Sequence, residues 1–187
     1  VDYEIVVANA DASLVYNKLI SGKVSKLRRT RKNLAKAEPS LAGFSLLLGL
    51  RPSDKPSGLS HHNVLFPKDY DQEFEDIFNR RVPVADPTIY ICAPNDDAMV
   101  KHPGHEAWFV LVNAPRHSES DGFNWNDKDA NHRYAMKIID AIEARGISVR
   151  DRLEVLEIRT PADLERTVMA PGGSIYGTSS NGARSAF

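Results

Sequence analysis

The chain has 187 residues, 42% of them hydrophobic and 26% charged, with a mean hydropathy of -0.38. That composition excludes disorder and fibrous repeats and leaves enough apolar residues for a core without disulfides. Lys and Arg total 24 against 25 Asp and Glu, so the near-neutral balance gives no electrostatic case for nucleic acid.

The charge is unevenly placed. Residues 1–38 hold 8 basic and 4 acidic side chains, and the excess lies in one run from Lys23 to Lys36. Cys92 is the single cysteine, which rules out an internal disulfide framework and points to a reducing compartment. No apolar run approaches the ~18 residues of a membrane span, and no signal segment is visible. The first residue is Val1 rather than Met, so the sequence reads as a piece of a longer protein.

In chain order, Glu4–Ala8 carries consecutive β-branched residues and predicts a short buried strand. Asn9 and Asp11 offer capping oxygens to a helix bearing Val15, Tyr16, Leu19 and Ile20, closed by Gly22. Residues 24–37 predict a second helix with Val24, Leu27 and Leu34 on its seam and Lys26, Arg28, Arg29, Arg31, Lys32 and Lys36 on its other faces. Pro39 ends it.

Phe44–Leu50 is a strongly apolar strand, Pro52–Gly58 a loop and His62–Phe66 a short strand. Asp69 with Gln72 resembles a capping box opening a helix that carries Tyr70, Phe74, Ile77 and Phe78 on one side. Thr88–Ala93 and Glu106–Ala114 predict further strands. Asn126–Arg145 is the clearest helix, with Tyr134, Ala135, Ile138, Ile139 and Ile142 in one stripe and Gly146 as its left-handed cap. Leu153–Ile158 reads as a strand, Pro161–Val168 as a helix and Ser174–Gly177 as a final strand. Seven strands and five helices, clustered rather than strictly alternating, predict an α+β fold: a mixed, largely antiparallel sheet with helices mainly on one face.

The chemistry-bearing motifs are few. His61-His62 and the His102–His105 pair lack the i, i+4 spacing of helical metal ligands, and no metal site is expected. Cys92, flanked by Ile91 and Ala93, reads as inert packing. No nucleophile elbow is present. No two glycines are separated by a single residue, so the Gly-x-Gly phosphate loop is missing and the chain alone does not cradle a dinucleotide. The Lys26, Arg28, Arg29, Arg31 and Lys32 run reads as a solvated helix face or as a contact for an anionic membrane surface. It has no interleaved aromatic, which argues against single-stranded nucleic acid.

Several segments together resemble one family. Val6-Val7-Ala8-Asn9-Ala10-Asp11 with Tyr16 and Leu19, Phe44–Leu50, and Leu59-Ser60-His61-His62-Asn63-Val64-Leu65-Phe66 are three of them. Tyr70 to Phe78, Tyr90 to Pro94, Pro103-Gly104 with the strand to Val112, Thr160–Leu164 and Pro171–Gly177 complete the set in the same order. The pattern resembles bacterial carotenoid desaturases of the phytoene desaturase type and covers nearly the whole chain.

The resemblance implies the substrate-binding portion of an amine-oxidase-like flavoprotein that desaturates a long isoprenoid. FAD is its cofactor in the intact protein, with none expected in this piece. It assigns residues 1–38 to a remnant of the FAD domain plus a basic connecting helix, and residues 39–187 to the substrate-binding domain. Ala8 and Asn9 are then weak cofactor-binding positions, and no catalytic residue carries over. Phe44, Leu46, Leu48, Tyr90, Ile175 and Tyr176 are expected to line the substrate path. The protein is expected to be cytoplasmic, peripheral on the inner face of the membrane. The rival is a non-enzymatic lipid or prenyl carrier, or a membrane-surface module, on the same scaffold.

Overall fold

The computed structural model describes residues 3–21, 25–54, 57–94, 96–100 and 102–179. A helical turn α1 (Ala12–Leu14) runs on as a π-helical turn (Val15–Leu19), capped by Asp11 through the Ser13 amide, and is followed by α2 (Ser25–Leu34). Next come β1 (Ala42–Leu50), β2 (His62–Leu65) and α3 (Tyr70–Phe74), which continues as a π-helical turn (Glu75–Arg80). The chain finishes with β3 (Ile89–Cys92), β4 (Glu106–Ala114), α4 (Lys128–Glu143), β5 (Leu153–Arg159) and α5 (Pro161–Val168).

The five strands form one sheet in the order β2-β3-β4-β1-β5. The α+β expectation holds, but the expected mixed sheet does not: every strand pairing is antiparallel. The reason lies in the α4 crossover. β4 and β5 point the same way, as the crossover demands, yet β1 lies between them and pairs with both. The helix therefore skips a strand, and no parallel ladder forms.

Strand periodicity sets the core. Phe44, Leu46, Leu48 and Leu50 of β1 join Trp108, Val110 and Val112 of β4, and Ile89 and Ile91 of β3, on one face. α4 lays its stripe Tyr134, Ala135, Ile138, Ile139 and Ile142 into the same cluster. The Phe44 ring meets Trp125 at 5.2 Å and Tyr134 edge-on at 5.0 Å. Asp127 caps α4 through the Asp129 and Ala130 amides, and Gly146 leaves it at φ +82°.

Two predicted strands are absent. Glu4–Ala8 is irregular, and Ile5, Val6 and Val7 are exposed, because no strand lies alongside to take their backbone groups. Ser174–Gly177 makes only the isolated bridge Ala42↔Ser174, with a second, Pro39↔Thr178, just beyond it; Gly177 at φ +70° interrupts the extended run. The Asp69 cap is real, but it is not a reciprocal box. Asp69 accepts from the Asp71 and Gln72 amides, while the Gln72 side chain donates to Asp76 instead. Thr160 and Asp163 supply the full capping box on α5. The turn after α5 admits only glycine at 173: a Cβ there would sit 2.1 Å from the Pro161 carbonyl oxygen, and φ is +72°.

Candidate functional site: the open sheet face

The second face of the sheet is built from the alternate residues of the same strands. On β1 these are Gly43, Ser45, Leu47 and Gly49, three of them small. They pair with Asn113, Leu111, Phe109 and Ala107 of β4, and Gly49 pairs with Val155 of β5. Gly43 is covered by Leu111 and Ile175, whereas Gly49 leaves a depression among larger neighbours. The result is a groove of about 350 Å³ whose walls include Leu47, Gly49, Cys92, Met99, Phe109 and Val155. Leu47, Met99 and Val155 are exposed on it.

One end of this face is polar. Tyr90 of β3 is hydrogen-bonded through its hydroxyl to Nδ1 of His62 on β2, at 2.8 Å. Its ring meets Phe109 edge-on. Partial burial, and then hydrogen bonding to the Cys92 thiol, raise the pKa of the Tyr90 phenol above its ordinary value.

At the end of β4, Asn113 is anchored from α3. Glu73, fully buried, accepts from the Asn113 side chain at 2.9 Å and from the Thr88 amide and hydroxyl at 2.8 and 2.6 Å. Thr88 stands one step beyond the Ile89↔Val112 pair, so one carboxylate ties α3 to the neighbouring ends of β3 and β4.

A second concavity lies where the first and last described segments meet. A cleft of about 770 Å³ is bounded by Asn9, Asp11, Leu34, Ser174, Ile175 and Gly177, among others. The Ser174 hydroxyl is buried there with no hydrogen-bond partner among the described residues. Ser40 and Leu41 hold the segment: the Ser40 hydroxyl oxygen accepts from the Tyr176 amide and the Leu41 carbonyl from the Ile175 amide.

The structure divides the six expected lining residues. Phe44, Leu46 and Leu48 point into the core with 0–2% exposure. Tyr90 is on the opposite face, because its register partners are Val64 and Leu111 rather than residues opposite Phe44. Ile175 packs against the small cluster of Leu41, Ile77 and Val84, and Tyr176 is exposed. Ala8 and Asn9 are exposed, with Asn9 on the rim of the second cleft.

On α2, Arg28, Arg29 and Lys32 are exposed. Arg31 is committed elsewhere: its guanidinium donates to the Tyr16 and Ile20 carbonyls at 2.5 and 2.7 Å, closing the end of the preceding helical turn. The Lys26 side chain lies outside the described residues. No helix among the described residues is long and apolar enough to cross a membrane.

Sequence reasoning missed Leu47, Gly49, Phe109 and Val155. The signal in β1 was partial: small residues alternate with large ones, which separates the two faces without saying which one α4 covers.

Comparison with known proteins adds the chemical context. No family model matches the chain. It is 34% identical over 184 residues to a zeta-carotene-forming phytoene desaturase of Myxococcus xanthus, covering 97% of this chain and 34% of that protein. A hydroxyneurosporene desaturase of Rubrivivax gelatinosus is 30% identical over 97% of this chain and 33% of its own length. The chain is a homologue of the carotenoid desaturases. A 4,4'-diaponeurosporene oxygenase of Staphylococcus haemolyticus, 29% identical over 95% of this chain and 34% of its own length, extends the set to an oxygenase. This desaturase homologue spans about a third of the length of the curated relatives it matches. All three relatives carry the names of oxidoreductases.

Proposed function

We propose that this chain forms the substrate-facing part of an FAD-dependent oxidoreductase that desaturates a long isoprenoid of the phytoene or carotenoid kind. The observation that carries the proposal is the open apolar groove over Leu47, Gly49, Phe109 and Val155. A polyene offers no polar handles, so its recognition requires an extended apolar wall with few anchors. Residues 39–187 supply that wall, and residues 1–38 the connection toward the cofactor-binding part.

The chain's own residues fit part of a bound flavin nucleotide. The second cleft presents the buried Ser174 hydroxyl, without a partner among the described residues, together with Asn9, Ile175 and Gly177. A buried hydroxyl without a partner is costly unless a ligand supplies one. Ser174 and Asn9 would hold polar edges of the group, with Ile175 against an apolar part. When bound, FAD supplies a hydride acceptor for the desaturation. The groove residues hold the isoprenoid extended and exclude water from it. The exposed Arg28, Arg29 and Lys32 of α2 fit a site of contact with an anionic membrane, from which such a substrate is drawn.

The test uses the intact protein that contains this chain. It is expected to convert phytoene or 4,4'-diapophytoene to a more conjugated, coloured product. Leu47→Glu, which places a charge on the groove wall, is expected to raise KM at least tenfold with the fold intact by circular dichroism. No turnover of either polyene, or turnover indifferent to Leu47→Glu, refutes the proposal.

A further inference from the structure

At the polar end of the open face, three metal-ligating side chains converge that sequence spacing did not bring together. His62 and Cys92 are directly opposite in the β2–β3 register and therefore share a face. His61 precedes β2 at a bend, and its carbonyl accepts from the Ala93 amide at 2.8 Å. Leaving the strand there frees its ring from strict alternation, and the two imidazole rings stand 4.4 Å apart. One ligand atom from each of His61, His62 and Cys92 lies within 4.8 Å of the other two.

We propose that His61, His62 and Cys92 form a binding site for a borderline-soft divalent cation, zinc above all. The donor set decides the metal class. Two imidazoles and a thiol with no carboxylate suit Zn(II) or Co(II) and are poor ligands for Mg(II) or Ca(II). Tetrahedral zinc with bonds of ~2.0–2.3 Å needs its ligand atoms about 3.3–3.8 Å apart. The observed spread closes to that chiefly by rotation of the exposed His61 ring.

The surroundings of His62 match those of a ligand. Its Nδ1 is engaged by the Tyr90 hydroxyl at 2.8 Å, which fixes the ring, and Nε2 carries no hydrogen bond among the described residues. A polar partner on the second nitrogen is the usual support for a metal-bound histidine. Cys92 is half-buried beside Tyr90 and also borders the groove, so the fourth coordination position opens toward the open face. Binding converts the Cys92 thiol to thiolate and releases its proton to water. Metal binding here does not require the isoprenoid chemistry proposed above, although Cys92 borders both sites.

The test is metal titration of the 187-residue chain after chelator treatment. Zn(II) is measured by competition with a chromophoric chelator, and Co(II) by its thiolate charge-transfer band. One tight equivalent is expected. Cys92→Ser and His62→Ala are each expected to weaken zinc at least tenfold, and Cys92→Ser also to abolish the charge-transfer band. Tyr90→Phe is expected to weaken it about tenfold through loss of the ring's support. His132→Gln, an exposed histidine on α4, leaves binding unchanged. Should His62→Ala fail to fold, His61→Gln, at an exposed position outside the strand, gives the same readout. Absence of a tight equivalent, or zinc binding that survives Cys92→Ser unchanged, overturns the proposal.

Discussion

Truncating Glu73 to Ala removes the one carboxylate that joins α3 to the ends of β3 and β4. In the native chain it is completely buried and accepts from Thr88 N, Thr88 Oγ1 and Asn113 Nδ2 at 2.8, 2.6 and 2.9 Å. Hydrogen bonds to a charged group contribute about 1.5–3 kcal/mol each, and the three share one acceptor group, so they do not simply add. Glu73→Ala leaves the half-buried Thr88 amide and hydroxyl and the Asn113 carboxamide without this acceptor, and the expected loss is about 2–4 kcal/mol.

Glu73→Gln separates hydrogen bonding from charge. Its oxygen still accepts from Thr88, and its NH₂ turns to Asn113, whose amide can rotate to offer an oxygen. The expected loss is about 1–2 kcal/mol. Urea unfolding followed by fluorescence of the buried Trp108 and Trp125 measures both, with m-values checked for constancy. If Glu73→Ala costs less than about 1 kcal/mol, or Glu73→Gln costs as much as Glu73→Ala, the reasoning is refuted.

Two further outcomes are expected. Burial alone would raise the Asp163 pKa, but hydrogen bonds from the Thr160 amide and hydroxyl and the Arg166 guanidinium hold it below the ordinary value. A depressed folded-state pKa means stability that is full above the unfolded value near pH 4 and lost as pH falls through the folded one. Asp163→Asn should therefore be less stable than the parent at neutral pH, with the gap in Tm narrowing below about pH 4; a constant gap would count against this linkage. On α2, replacing exposed Arg28 and Arg29 with Gln should weaken co-sedimentation with anionic vesicles about thirtyfold at low salt, at about 1 kcal/mol per residue. Equal binding by the double variant, or binding insensitive to salt, would mark the helix face as merely solvated.

Local patterns were legible without the fold. The α4 stripe, its Gly146 boundary, the five sheet strands and the Pro161–Val168 helix all rest on neighbours within a few residues. The two lost strands failed for different reasons: a β-branched run such as Ile5-Val6-Val7 forms a strand only beside another, and Ser174–Gly177 is interrupted by Gly177 at φ +70°. The resemblance to carotenoid desaturases was also carried by short ordered segments, and the comparison with known proteins agrees with it.

The candidate sites were less accessible. Alternation along β1 separates Phe44, Leu46 and Leu48 from Ser45, Leu47 and Gly49, but it does not say which set α4 will cover. The apolar run is rich enough on both faces to permit either. Register likewise decides that Tyr90 shares a face with Leu111 and that Cys92 meets His62, thirty positions away in the chain. The sequence by itself determined the elements, their caps and the family likeness, because those depend on local propensity and short motifs. Only the tertiary structure decided the open groove and the His61–His62–Cys92 cluster, because both arise from strand pairing between segments whose mutual alignment no local pattern encodes.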